Sequence, residues 1–396
     1  MKRKNKTSVF AQIAGTGVLK RRYKMKFNWK KCLAGILCIV GFLLILVKVN
    51  QFEKATLVST TGQSYEKAVV TEITKDNLAE DGNRYGTQEV RVYIKTGTFA
   101  GEEYDAVNPS GSLFGADCEV GSKVIVIVSE SGDNSIVTVY SQDRTGAIYL
   151  FAAFFALVVC LIGGKKGVKA IASLVFTFVC IYYLMFPLIY QGASPILITI
   201  VIAFLSTLVT LGLLGGMTAK TASAIIGTTA GVVIAAVAAL LFGKAAGITG
   251  YNVSDIETLN YVAQNSQIRI GQLLFSGIII ASLGATMDVG MSIASTIQEI
   301  HERNPLLGTK ELFLSGIRVG RDMMGTMTNT LIFAYVGGSL STLVINYAYD
   351  LSYRQLMNSY IIGTEIMQGL SGSLGVVLTV PVTAVIASVL VARFSK

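Results

Sequence analysis

The sequence predicts an α-helical polytopic membrane protein, about eight spans plus one re-entrant or half helix, with a small extracytoplasmic all-β domain. Three observations lead there. The 396 residues are 52% hydrophobic and 14% charged, at a mean hydropathy of +0.59, outside the balance of an ordinary soluble domain. Apolar runs close to the roughly 20 residues that a spanning helix needs recur along the chain. One stretch, 50–146, breaks that pattern with eight basic and fifteen acidic residues and short alternating or β-branched runs, which is how strands read.

Residues 1–31 form a basic cytoplasmic arm. The net charge of +9 suggests a polyanion binder until it is divided: eleven basic and no acidic residues precede the first apolar run, leaving 22 basic against 24 acidic residues in the rest. An excess confined to one flank of a span marks the cytoplasmic side. It suits anionic lipid of the bilayer and leaves nucleic acid without a case, because no reader fold or aromatic interleaving accompanies it. The run 32–49 exits through Leu46-Val47-Lys48-Val49-Asn50-Gln51 with no small-residue cleavage site, so it reads as a signal anchor.

In 50–146, candidate strands are Tyr65 to Thr74, Glu89 to Thr96, Glu102 to Ala106, Lys123 to Ser129 and Ser135 to Tyr140. Turn residues separate them, as in Asp81-Gly82-Asn83, Asn108-Pro109-Ser110-Gly111 and Ser131-Gly132-Asp133-Asn134. Five short strands need closure to hide their edges, so an OB-like barrel is expected, with a sandwich as the alternative. Such a domain serves as a ligand- or partner-binding module or as a structural cap.

The membrane bundle, 147–396, opens with spans at 147–162, 168–190, 194–215 and 223–242. Lys165, Lys166, Lys169 and Lys220 fall on the side that this alternation makes cytoplasmic. Gly212/Gly216, Gly227/Gly231 and Gly243/Gly247 repeat at the four-residue spacing that allows close helix contact in lipid. A polar outer segment with Asp255 and Glu257 precedes a span at 270–289 that carries Asp288 at its inner end. Residues 290–322 read as a cytoplasmic helical hairpin: Asp288, Ser292, Ser295, Glu299 and Glu302 make one polar stripe, Asn304-Pro305 stops the helix, and Thr309 is the expected N-cap of the next. On that helix Arg318, Asp322, Thr326 and Asn329 share a face, with an Arg318–Asp322 pair available at i, i+4. The span 324–345 follows. Gly369, Gly372 and Gly375 then divide the last apolar stretch, so 357–370 reads as a half helix carrying Glu365 and 374–392 as the final span. Irregular backbone at membrane depth must line a cavity or be buried in protein. Glu365 is therefore expected to face the interior that holds Asp288 and Asp322.

Charged groups inside a bilayer are costly unless paired or hydrated, which makes Asp288, Arg318, Arg321, Asp322 and Glu365, with neutral Thr326 and Asn329, the candidate polar site. Gly284, Gly316, Gly320 and Gly325 are expected to thin helix faces for packing. His301 is the only histidine, which excludes His-based zinc sites and a Ser-His-Asp triad, and the five cysteines form no framework. No metal or cofactor is expected.

Gly284-Ala-Thr-Met-Asp288-Val, Glu299-x-x-Glu302-x-Asn304-Pro305 and Ser315-Gly316-x-Arg318-Val-Gly320-Arg321-Asp322, running on through Gly325-Thr326-Met-Thr328-Asn329-Thr330, resemble the YibE/F-like family of bacterial multi-pass membrane proteins. Weaker matches, at Asp143-Arg144, Gly163-Gly164-Lys165-Lys166-Gly167 and Gly337-Gly338-Ser339-Leu340, extend the resemblance from about Asp143 to Phe394. The anchor and β domain resemble those of the longer, YibE-type members. The resemblance implies an efflux-type protein of the plasma membrane and a shorter YibF-like membrane partner, with a homo-oligomer as the alternative; both termini are expected in the cytoplasm and the β domain outside.

Three functional readings follow. A transporter or permease for a small solute or ion uses carboxylates as proton carriers or ion ligands beside a broken helix. An assembly or signalling scaffold would dock partners on the β domain and the cytoplasmic hairpin. An intramembrane aspartyl protease would pair Asp288 with Asp322, although neither lies in a Gly-x-Gly-Asp context, and the expectation is that the protein is not an enzyme.

Overall fold

The computed structural model describes residues 29–80, 82, 85–109, 116–131, 134–251, 253 and 255–394. Most of the basic arm, and parts of the three turns named above, lie outside the described residues. The chain divides into two compact units, Met1–Gln51 and Phe52–Lys396. In the first, α1 (Trp29–Val49) has 21 residues, about 31 Å of helix at 1.5 Å per residue. Asn50 closes its last turn by donating from Nδ2 to Leu46 O at 2.8 Å.

The second unit begins with a closed five-stranded barrel of β1 (Gln63–Lys75), β2 (Gln88–Ile94), β3 (Glu103–Asn108), β4 (Lys123–Ser131) and β5 (Asn134–Gln142). The expected strands are all present, and their order around the barrel is β1-β2-β3-β5-β4. β1 pairs with β2 and β4, and β3 lies parallel to β5. Irregularities at Val70/Glu72 and Ile73/Lys75 bend β1 enough to serve both neighbours. Alternation sorts β2 cleanly: Val90, Val92 and Ile94 are buried, while Arg91 faces out between Glu72 (2.9 Å) and Asp105 (3.0 Å) on the flanking strands. At one end the buried Asn108 donates to Gln88 Oε1 (3.2 Å) and Ala116 O (2.6 Å), and Gln88 donates to Cys118 O (3.0 Å), tying residues 116–118 to the barrel.

Asp143 joins the barrel to the bundle. Its Oδ1 accepts from Thr145 N at 3.0 Å and Oδ2 lies 3.3 Å from Lys67 Nζ on β1, so one carboxylate both takes the first amide of the bundle helix and grips a strand.

Helix α2 (Thr145–Cys180) continues through a π-turn, Ile181–Met185, into α3 (Phe186–Tyr190). Pro187 lacks the amide that regular helix would need there. Within α2, Gly164 has φ 52° and ψ −130°, and Gly167 presses on the backbone of Val159 and Cys160. Residues eight apart in a straight helix are about 12 Å apart along the axis, so the chain reverses at Gly164 and the helix folds back on itself. Helices α4 (Pro195–Gly215) and α5 (Ala219–Ala246) follow. Thr218 Oγ1 caps the start of α5 by accepting from Thr221 N at 3.2 Å, and left-handed Gly247 ends it. After the short helix α6 (Ile256–Gln264) come α7 (Leu273–Arg303), α8 (Thr309–Gly338), α9 (Leu340–Ala348), α10 (Tyr353–Met357) and α11 (Tyr360–Phe394).

Among the described residues, five helical segments are long and apolar enough to cross a membrane: Thr145–Tyr190, Pro195–Gly215, Ala219–Ala246, Ile270–Arg303 and Tyr360–Arg393. The pair α8 and α9, bent by 62°, makes six. The core is formed by α5, α7, α8 and α11, with Val289, Ile293, Ile297, Leu312, Val376 and Ala384 at its centre. Gly227 of α5 lies against Thr383 of α11, and Gly231 against Thr379 and the Gly375 carbonyl, so the Gly227/Gly231 spacing marks a true helix contact.

Three expectations are corrected. The half helix 357–370 and the final span 374–392 are one continuous helix, α11, of 35 residues. Its glycines pack rather than break: a Cβ on Gly372 would lie 2.7 Å from Leu331 Cδ2, and one on Gly375 2.7 Å from Gly231 O. In an apolar medium the helix keeps its backbone bonds, and the missing side chains are used for approach. The span 324–345 is not straight, because α8 ends at Gly338 and the chain turns before α9. The N-cap of α8 is Gly308, one residue before Thr309, with Glu311 Oε2 accepting from Gly308 N at 3.0 Å.

Candidate functional site

The bend between α8 and α9 opens two adjoining cavities against the first turns of α11. The first, of about 250 Å³, is mostly apolar and is lined by Ile332, Tyr335, Val336, Ser339 and Leu343 opposite Ile362, Glu365, Ile366, Gly369 and Leu370. The second, of about 310 Å³, is more polar and is lined by Ser339, Thr342, Thr364, Glu365 and Gln368 with Val253, Leu274, Gly338 and Ile361. Glu365 and Ser339 belong to both. Glu365 is half-buried and among the described residues makes no ion pair. Thr364 Oγ1 and Tyr335 OH are buried atoms without a hydrogen-bond partner there.

Local structure holds this geometry. Tyr360 OH accepts from Thr249 N (2.8 Å) and donates to Gly247 O (3.1 Å), pinning the first turn of α11 to the end of α5. Ser339 Oγ donates to Tyr335 O at 3.1 Å, closing the last turn of α8 before the bend. The first two turns of α11 then set Ile361, Thr364, Glu365 and Gln368 on one face at steps of three and four, as the helix period requires.

The polar residues expected to converge do not. Asp288 sits 14 residues along α7 from Leu274 of the second cavity, about 21 Å of helix, where a cavity of about 650 Å³ is lined by Phe155, Val159, Ala170, Ile171, Ser173, Leu174 and Thr177 of the reversed α2 and by Thr210 of α4. Arg318, Arg321, Asp322, Thr326 and Asn329 are exposed on the outer face of α8, away from Glu365. Among the described residues Asp322 has no ion pair with either arginine, so the i, i+4 pair is not formed; Thr326 Oγ1 donates to its own helix at Met323 O (2.9 Å). Asp288 and Asp322 thus face different surroundings and form no dyad. The physical reason is angular: both ends of a polar stripe can be read from a helix period, but which way the stripe turns is set by which helices pack behind it.

The glycines divide likewise. A Cβ on Gly316 would lie 2.7 Å from Ile297 Cδ1, and Gly320 abuts Val380, so both admit neighbours; Gly284 and Gly325 face open space. At the end of α7 the predicted stripe does form a surface, where Lys220, Ser295, Gln298, Glu299, Glu302 and Arg303 line an open cavity of about 480 Å³ and Arg303 pairs with Glu299 at 2.8 Å. Among the described residues no three His, Cys, Asp or Glu side chains gather as a metal set.

Sequence reading missed Tyr335, Ser339, Thr342, Thr364 and Gln368. The signal was present as Tyr335, Ser339 and Thr342 at i, i+4 and i+7 beside Gly337-Gly338, a pair of poor helix formers where the bend falls.

A family model described as YibE/F-like protein matches residues 151–393, which takes in nearly the whole bundle and none of the barrel. Neither a curated protein nor a solved structure matches the chain.

Proposed function

Because this chain belongs to the YibE/F-like protein family, we propose that the bundle is a permease of the bacterial plasma membrane for a small solute or ion and that Glu365 is its ligand-binding or proton-carrying group. One observation carries the reading: a single carboxylate borders both an apolar and a polar cavity at the bend of a broken helix. Ionisable residues within spans mark ion and proton paths, and interrupted helices supply the backbone and hydroxyl ligands of transport sites. Thr364 and Tyr335 add hydroxyls without a hydrogen-bond partner among the described residues, a set that suits a cation or a protonated solute.

In this reading the membrane contains eight crossings. The reversal at Gly164 makes two of the segment Thr145–Tyr190, α8 with α9 makes one, and α11 makes the last, so both termini are cytoplasmic and the barrel is outside.

The test is flux in proteoliposomes under imposed Na⁺, K⁺ or small-amine gradients, with an entrapped pH dye reporting coupled protons. Glu365→Gln is expected to lower flux at least tenfold while the protein still elutes and melts as wild type. Vesicles without flux for the wild-type chain, together with a stably bound partner on the barrel or the α7 end, would replace the permease by a scaffold.

A further inference from the structure

Among the described residues, the outer face of α8 has no neighbour. Arg318, Asp322, Gly325 and Asn329 fall within about 60° of one another on a helix of 3.6 residues per turn, and all are exposed, whereas Leu312, Gly316, Gly320 and Leu331 on the opposite side are buried. Arg321 and Thr326 flank the stripe and are exposed too. Its depth follows from packing. Gly320 touches Ile293 of α7, half a turn from Met291, whose Cε lies 3.3 Å from the Cβ position of Gly215 at the end of α4. The 21 residues of α4 span about 31 Å, one hydrocarbon thickness. Arg318 therefore lies near the inner boundary, Asp322 just within it, and Asn329, about 13 Å beyond Gly320, near the middle of the bilayer.

An arginine, a carboxylate and an amide turned to lipid at that depth are unfavourable unless protein covers them. We propose that α8 is the contact between two copies of this chain. Insertion gives every copy the same orientation, so two copies meet about a two-fold axis along the membrane normal with their α8 helices parallel, and each patch must complement itself. This one does. Asp322 of one copy meets Arg321 of the other, and the Asn329 amide, donor and acceptor at once, pairs with its counterpart. Gly325, at the centre of the stripe, has nothing within 4 Å of its Cβ position and lets the two backbones approach. Arg318, nearest the boundary, extends toward headgroups along its aliphatic stem.

The experiment uses the full chain in native-like membranes. Asn329→Cys under copper-phenanthroline oxidation is expected to give a band at twice the chain mass that neither wild type nor Leu161→Cys, exposed on α2, produces. Fluorophore-labelled wild type in vesicles should bleach in two steps. Asp322→Arg should lower the dimer fraction about tenfold, and Arg321→Asp combined with Asp322→Arg should restore it, which separates a charge contact from a folding defect. Single-step bleaching of the wild type would overturn the proposal, as would an Asn329→Cys adduct of any mass other than twice the chain.

Discussion

Asp143 shows how much one side chain sets at the junction of strand and helix. The Thr145 hydroxyl and amide, then Lys67, hold its carboxyl below the usual carboxylate range, because each favours the charged form. A group whose folded pKa is depressed contributes stability that is present above the unfolded value, about 3.9 for aspartate, and is lost as pH falls through the lower folded value. Asp143→Asn should therefore melt below wild type at neutral pH, with the difference closing as pH is taken below about 4; thermal melts at several pH values check this. A constant difference across that range would assign the effect to packing alone. Glu365 differs in kind, since its neighbours Thr364 and Tyr335 have no hydrogen-bond partner among the described residues, and its substitution is expected to cost flux rather than fold.

At the scale of elements, glycines that look alike in sequence do opposite things. Gly231 admits Thr379 and the Gly375 backbone, so Gly231→Val forces α5 and α11 apart and should destabilise by about 1–3 kcal/mol or more. Gly284 faces open space in the interior of α7, so Gly284→Ala should be neutral or stabilising by up to about 1 kcal/mol, the helix-propensity difference. Melting of the two variants in one detergent is the measurement, and equal losses would contradict the packing described for α5 and α11. The same distinction explains why α11 was legible as apolar but not as continuous: Gly369, Gly372 and Gly375 read as breakers in isolation, and only the surfaces of α5 and α8 opposite them turn small size into close contact.

For the whole molecule, length settles how α2 and α3 must be used. A straight helix of the 46 residues Thr145–Tyr190 would run about 69 Å, more than twice a hydrocarbon core of about 30 Å. With the reversal at Gly164, Lys165→Cys should react with a membrane-impermeant thiol reagent only from the cytoplasmic side, the side of Arg393→Cys. Labelling of Lys165→Cys and Arg393→Cys from opposite sides would rule out the two-crossing arrangement. The sequence by itself determined the membrane class, the five strands and the positions of most helices, because hydropathy and the periods of 2 and 3.6 are local properties of consecutive residues. It also put Glu365 in an apolar stretch, but with the expectation of one interior shared with Asp288 and Asp322. Only the tertiary structure decided that Asp288, Asp322 and Glu365 face three different surroundings, since the direction in which a helix presents its polar stripe depends on the rotation imposed by its neighbours, and that rotation is fixed by where the glycines let other helices in.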